Sequence, residues 1–269
     1  MDRKTKIIAV ANQKGGVAKT TTVQHIGYCL AMEHGKRVLL IDLDPQANLT
    51  STFGIAPEAL DYSIFDVLKG EIPLSQIVTK CPGDGKLDVA PSNIELSRAE
   101  LELVSEINAT YLLRSAITAP FVEGAAEAEE GPYDYIVIDC PPALGIITVN
   151  ALAASDYVLI PIQPEMYALQ GLKSLEETIG KVRARANPGL STLGWVITLH
   201  DGRTRMHKDV VEFFRKKFGP ALCETIISVN TTIREAQAAK KTVFQYDSSK
   251  SGAKNYAMLV DELLRRIGD

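Results

Sequence analysis

The chain has 269 residues, of which 46% are hydrophobic and 23% charged, with a formal charge of −4. That length supports a sizeable core, and the balance excludes a disordered, collagen-like or disulfide-built polypeptide. No run approaches the ~18 consecutive apolar residues of a membrane-spanning helix, and Met1–Lys6 leads into a short apolar strand, unlike a secretory leader.

Short runs rich in β-branched residues predict strands at Ile7–Ala11, Val38–Asp42, Leu87–Ala90, Tyr135–Asp139, Tyr157–Ile162, Leu193–Leu199 and Thr225–Ser228. Their nearly continuous apolar character suits strands buried on both faces of a parallel sheet. Helical spacing follows the first strand: Val23, Ile26 and Leu30 recur on one face, and Gly35 stands where a C-terminal cap belongs. Further helices are predicted over Leu169–Ala186, Met206–Phe218 and Ala253–Ile267. This alternation predicts an α/β fold, a doubly wound, mostly parallel sheet with helices on both faces. The low-complexity acidic stretch from Glu123 to Pro132 reads as a mobile loop, and not as a domain boundary, because similar strands resume on both sides. Residues 1–269 therefore read as one domain.

Charge is unevenly distributed. Residues 203–269 carry thirteen Lys and Arg against eight acids, a local +5, which leaves −9 for residues 1–202. A basic last quarter can present one face to a polyanion, although solvated helix faces give the same count. Cys29, Cys81, Cys140 and Cys223 lack metal-ligand spacing and read as reduced thiols. His25, His34, His200 and His207 form no constellation with them and are assigned to packing or surface.

The segment after the first strand, Asn12-Gln13-Lys14-Gly15-Gly16-Val17-Ala18-Lys19-Thr20-Thr21-Thr22, precedes a helix. A strand, a glycine-containing loop, Lys-Thr and a helix start make a phosphate cradle. Loop N–H groups and the positive helix end face the anion, Lys19 reaches the terminal phosphates, and the Thr20 hydroxyl can ligate Mg²⁺. The common G-x-x-x-x-G-K-[ST] pattern fails here, because Gln13 and Ala18 occupy its glycine positions; K-G-G-x-x-K-[ST] matches instead. Ala18 suits the loop only where the backbone needs no positive φ.

This run resembles the deviant Walker A motif of the MinD/ParA group of ATPases. Asp42-Leu43-Asp44-Pro45-Gln46-Ala47-Asn48, Asp139-Cys140-Pro141-Pro142 and His200-Asp201-Gly202-Arg203-Thr204 further resemble the ParA/Soj-type partition ATPases, in the same order along essentially the whole chain. The resemblance implies ATP and Mg²⁺ as cofactors, held by Lys14, Gly15, Gly16, Val17, Ala18, Lys19, Thr20 and Thr21. It makes Lys14 a residue that crosses to a partner's nucleotide in an ATP-dependent homodimer, and Asp44 the residue that orients the attacking water. Asp42 and Asp139 end parallel strands beside the loop, where ligands bind in open α/β sheets, and would act on Mg²⁺ through its water shell. Asn230 is all that persists of a family Pro-Arg-Asn turn bordering adenine, and it is equally suited to cap a helix.

The resemblance also implies binding of nonspecific double-stranded DNA, stimulation by a ParB-like activator, and a cytoplasmic, nucleoid-associated location. Arg203 matches a family DNA-contact arginine directly; Arg234 stands two residues beyond the position of a second, and Lys240, Lys241 and Lys254 are further expected phosphate contacts. MinD-like relatives hold membranes through a carboxy-terminal amphipathic helix. Here Leu259, Leu263, Leu264 and Ile267 have the spacing of a helix packed on its own domain, with Asp261 and Glu262 expected on its exposed side, so no membrane is expected. A cluster-assembly ATPase would need interface cysteines that the spacing does not provide. A nucleotide-gated interaction module with little turnover remains the alternative.

Overall fold

The computed structural model describes residues 5–81, 85–118, 133–165 and 168–269. The acidic stretch Glu123–Pro132 lies outside them. Among the described residues eight strands form one sheet: β1 (Lys6–Val10), β2 (Val38–Asp42), β3 (Thr79–Lys80), β4 (Leu87–Ala90), β5 (Tyr135–Asp139), β6 (Tyr157–Ile162), β7 (Ser191–His200) and β8 (Leu222–Ser228). Their spatial order is β3-β4-β2-β5-β1-β6-β7-β8, and every pairing is parallel except that of the two-residue edge strand β3. The apolar runs of β2, β4, β5 and β6 coincide with the predicted strands, while β7 and β8 extend farther. Exposed, polar β3 has no apolar signature to reveal it.

The helices in chain order are α1 (Lys19–Met32), α2 (Asn48–Thr52), α3 (Ile64–Leu68), α4 (Leu74–Ile77), α5 (Ala99–Glu102), α6 (Leu112–Thr118), α7 (Ile146–Ala154), α8 (Ala168–Arg185), α9 (Arg205–Phe218), α10 (Thr231–Ala238), α11 (Val243–Asp247) and α12 (Ser251–Ile267). Alternate strand residues serve opposite cores. Ala9, Leu39 and Ile41 pack with α3, α4 and α6 to α9, whereas Ile8, Val10, Val38 and Leu40 pack with α1, α2 and α10 to α12. Helices thus cover both faces, which is why the central strands carry no polar alternation.

Two contacts position the site. Gly27 lies where α1 crosses β2 so closely that a Cβ would overlap the Leu40 side chain. Past the helix end, Gly35 takes φ +66, the left-handed turn anticipated for it. At the other edge, α12 packs against β8 and α1.

Glu262 corrects an expectation: it is buried, not exposed. Its carboxylate accepts from the backbone N–H groups of Glu224 and Thr225, each at 2.9 Å, and pairs with Arg266 at 2.8 Å. Arg266 also donates to the carbonyls of Leu193, Pro220 and Leu222. The helical phase turns Glu262 toward a strand end whose N–H groups need acceptors. The carboxy-terminal helix is thereby tied to its own sheet. Among the described residues no helix is long and apolar enough to cross a membrane.

Candidate nucleotide site

The loop between β1 and α1 is anchored from three neighbours. Buried Asn12 donates to Pro161 O at 2.7 Å and accepts from the Lys14 N–H at 2.9 Å. Gln163, just past β6, donates to Gly16 O at 2.8 Å. Thr198 on β7 donates to Val17 O at 3.0 Å, with Ile162 O at 3.3 Å. The loop is therefore held by the carboxyl ends of β6, beside β1, and β7, one strand beyond, at the rim where open α/β sheets bind ligands.

Within it, Gly16 has φ +74 and Ala18, the residue capping α1, has φ +63. The expectation that Ala18 avoids positive φ is corrected: the backbone is left-handed there, the conformation in which a Cβ is disfavoured. Ala47, which starts α2, repeats this with φ 50.

Lys19 is 7% exposed, and its ammonium donates to Lys14 O at 3.2 Å. Burial holds its pKa below the ordinary lysine value, opposed mainly by the Asp139 carboxylate. Lys14 is tied within its own chain to Glu165 at 2.5 Å and Gln163 at 3.1 Å. Glu165 and Gln163 were not singled out from sequence. Their place just beyond the carboxyl end of a central strand is the signal that could have found them.

Three aspartates close the site. Asp42 and Asp139 are direct partners in the β2–β5 register, and both are fully buried. Asp42 is engaged by the protein: Oδ1 accepts from the Asp44 N–H at 3.1 Å, and Oδ2 accepts from the Thr50 N–H and hydroxyl at 2.9 and 2.7 Å. It therefore shapes the turn that carries Asp44. Asp44 in turn accepts from the Gln46 N–H at 2.9 Å. Neither oxygen of Asp139 has a hydrogen-bond partner.

Burial, then the neighbouring Asp42 charge, holds the Asp139 carboxyl well above the usual carboxylate range, tempered by the Thr20 hydroxyl and Lys19. Burial likewise pushes Asp42 up to about 6. An orphaned buried carboxylate beside Thr20 fits a divalent cation held by one hydroxyl, one carboxylate side and water, the sparse protein ligation that Mg²⁺ favours.

A cavity of about 700 Å³ opens over the loop and Asp44. Gly15, Gly16, Ala18, Lys19, Thr20, Thr21 and Asp44 line one side. Asn230 and Tyr256 line another, as do Arg234 and Lys240. Asn230 caps α10, accepting from the Thr232 N–H at 2.9 Å and donating to Ser251 at 2.8 Å. Cap geometry and cavity lining thus coexist in this residue.

Of the five residues expected at a DNA surface, Arg234 and Lys240 line the cavity, on and just past α10, whose Gln237 donates to Thr21 in the first turn of α1. Lys241 and Lys254 are exposed and do not line the cavity. Arg203 is exposed in the turn after β7, gripped by Asp201 through two bonds of 2.9 and 2.8 Å.

The four cysteines are buried, and burial raises every thiol pKa, to about 12 for Cys29, Cys81 and Cys223. Buried His25 is pushed down to about 4. Its Nδ1 lies 2.6 Å from Thr21 O, and its Nε2 accepts from the Val243 N–H at 3.0 Å.

The AAA domain family matches residues 5–192. The sporulation initiation inhibitor protein Soj of Bacillus subtilis is 42% identical over 96% of this chain and 98% of its own length. The chromosome partitioning protein ParA of Caulobacter vibrioides is 40% identical over 98% and 96%, respectively. A crystal structure from Mycobacterium smegmatis, described as cobyrinic acid a,c-diamide synthase with bound ATP analog and magnesium, superimposes with a TM-score of 0.81. It is 36% identical, covering 99% of this chain and 97% of that one. With its two-lysine phosphate loop, its aspartates on adjacent strands and these relatives along nearly the whole chain, the protein belongs to the ParA/Soj family of partition proteins.

Proposed function

We propose that the chain is a Mg²⁺-dependent ATPase that dimerises around ATP, binds nonspecific duplex DNA in that state, and positions a cargo on the nucleoid in the cytoplasm. A ParB-like partner would stimulate hydrolysis and release it. The observation that carries this reading is the pairing of Lys14 and Lys19 on one loop, beside a cavity lined by Lys19, Thr20 and Asp44, with the Asp139 carboxylate buried and without a hydrogen-bond partner.

Lys19 and the loop N–H groups would hold the β- and γ-phosphates. Thr20 and Asp139 would hold Mg²⁺, which when bound neutralises phosphate charge. Asp44, fixed by Asp42 from behind, would orient the attacking water. Lys14 would leave Glu165 and reach the partner protomer's nucleotide, adding positive charge where negative charge builds during transfer. The exposed Arg203 and the basic last quarter supply phosphate contacts for duplex DNA.

The test is a gel shift on random duplex DNA with ATP, ADP or no nucleotide at two salt concentrations. Retardation should require ATP, weaken steeply with salt and be lost in Arg203→Glu. Retardation independent of nucleotide would overturn the reading.

A further inference from the structure

Two cations on the cavity wall have no counterpart in the scheme above. Arg234 and Lys240 line the same space as Lys19, Thr20 and Thr21. Among the described residues neither side chain makes an ion pair or a hydrogen bond. Lys14 and Arg203, by contrast, are each neutralised by a carboxylate of their own chain. Unneutralised cations over a phosphate-binding helix terminus mark a place for negative charge.

Their position along the nucleotide follows from one contact. Gln237 Nε2 donates to Thr21 Oγ1 at 2.8 Å, which sets α10 across the first turn of α1. Arg234 precedes Gln237 by one turn, so both project from the same face. Lys19, Thr20 and Asp44 mark the terminal phosphates and the metal. Thr21 lies one residue farther along α1, and its hydroxyl accepts from Gln237 in the cavity that Asn230, Arg234 and Lys240 also line.

Lys240 adds an independent observation. It follows α10 with φ 51, in a helix-ending turn closed by the Lys240 N–H to Gln237 O at 3.0 Å and the Lys241 N–H to Ala236 O at 2.9 Å. Glycine usually takes that left-handed position, and a lysine there is strained. Retained strain at a cavity wall points to use of the side chain.

We infer that Arg234 and Lys240 bind the α-phosphate and ribose end of the nucleotide in cis and are not part of the DNA surface. The inference rests on the nucleotide-site reading above. ADP and ATP share this end, so the pair strengthens both alike and does not distinguish the two states.

The test titrates the full-length chain with ADP and with AMPPNP, each with Mg²⁺, for wild type, Arg234→Ala and Lys240→Gly. Each variant should lose about tenfold affinity for both nucleotides, the effect of deleting a charge-assisted contact. Lys240→Gly should at the same time raise the melting temperature of the apo protein. At saturating AMPPNP both variants should still retain random duplex DNA. Unchanged nucleotide affinities, or DNA retention lost at unchanged ADP affinity, would overturn the inference. A wild-type chain that binds neither nucleotide would overturn the underlying reading as well, and is distinguished by failing before any substitution.

Discussion

Lys14 is held by Glu165 of its own chain, its ammonium 2.5 Å from a carboxylate oxygen, and Gln163 joins the same ammonium to the loop that carries it. A lysine that is to serve a neighbouring protomer must first leave this pair. Both side chains are about 40% exposed (39% and 44%), so the pair is worth at most about 1 kcal/mol. A symmetric dimer opens two such pairs, so Glu165→Gln should let the nucleotide-bound chain dimerise at up to about thirtyfold lower protein concentration. Light scattering across a dilution series with AMPPNP reads this directly, and weaker dimerisation in the variant would contradict it.

Ala18 carries left-handed strain at the start of α1. Glycine would remove it while adding freedom to the unfolded chain, for a net gain of about 1 kcal/mol. Ala18→Gly should raise the urea midpoint without changing the slope of the transition. A lowered midpoint would show that the methyl group contributes packing that outweighs the strain.

The aspartate pair makes the apo protein sensitive to pH. A carboxyl whose pKa is raised on folding binds its proton more tightly in the native state. Its contribution is most favourable at low pH and is lost as pH rises from the unfolded value of about 4 through the folded one. For Asp42 the folded value is about 6, and Asp139 is raised well above the ordinary range. Asp139→Asn should flatten the loss of stability between pH 5 and 7.5 and raise the apo melting temperature at pH 7.5 by roughly 2–4 °C per kcal/mol recovered. Mg²⁺-nucleotide should stabilise the wild type more than the variant. Thermal melts with and without ligand test both parts.

Arg266 serves four acceptors on α12, β7, β8 and the turn before β8. Removing it leaves the Glu262 carboxylate buried without its cation. Arg266→Ala should destabilise the fold by about 3 kcal/mol, measured by urea unfolding. A change below about 1 kcal/mol, the level of an exposed pair, would mean that solvent replaces the arginine.

The sheet was legible because its strands are apolar on both faces, and the phosphate loop because its residues are contiguous. Four features depended on information that a linear reading lacks. The sign of φ at Ala18 is set by how the loop enters α1, and the residue type argued the other way. Arg234 and Lys240 looked like part of a basic tail, and only the contact of α10 with the first turn of α1 brings them to the cavity wall. Glu262 required knowing which strand N–H groups α12 would meet. Thr198, which steadies Val17 from β7, sits 181 residues away and has no local pattern to announce it.

The missing side chain at Gly27 governs more than a packing distance. With Leu40 filling the space a methyl group would take, α1 can neither turn nor slide on β2 without a clash. The helix bearing Lys19 and Thr20 is thus an anvil, not a piston. An arriving phosphate can displace only what rests on the helix start: the Gln237 face on one flank and the Gln163–Glu165 stretch on the other. A response to bound nucleotide is therefore expected at the carboxyl rim of the sheet more than in its body.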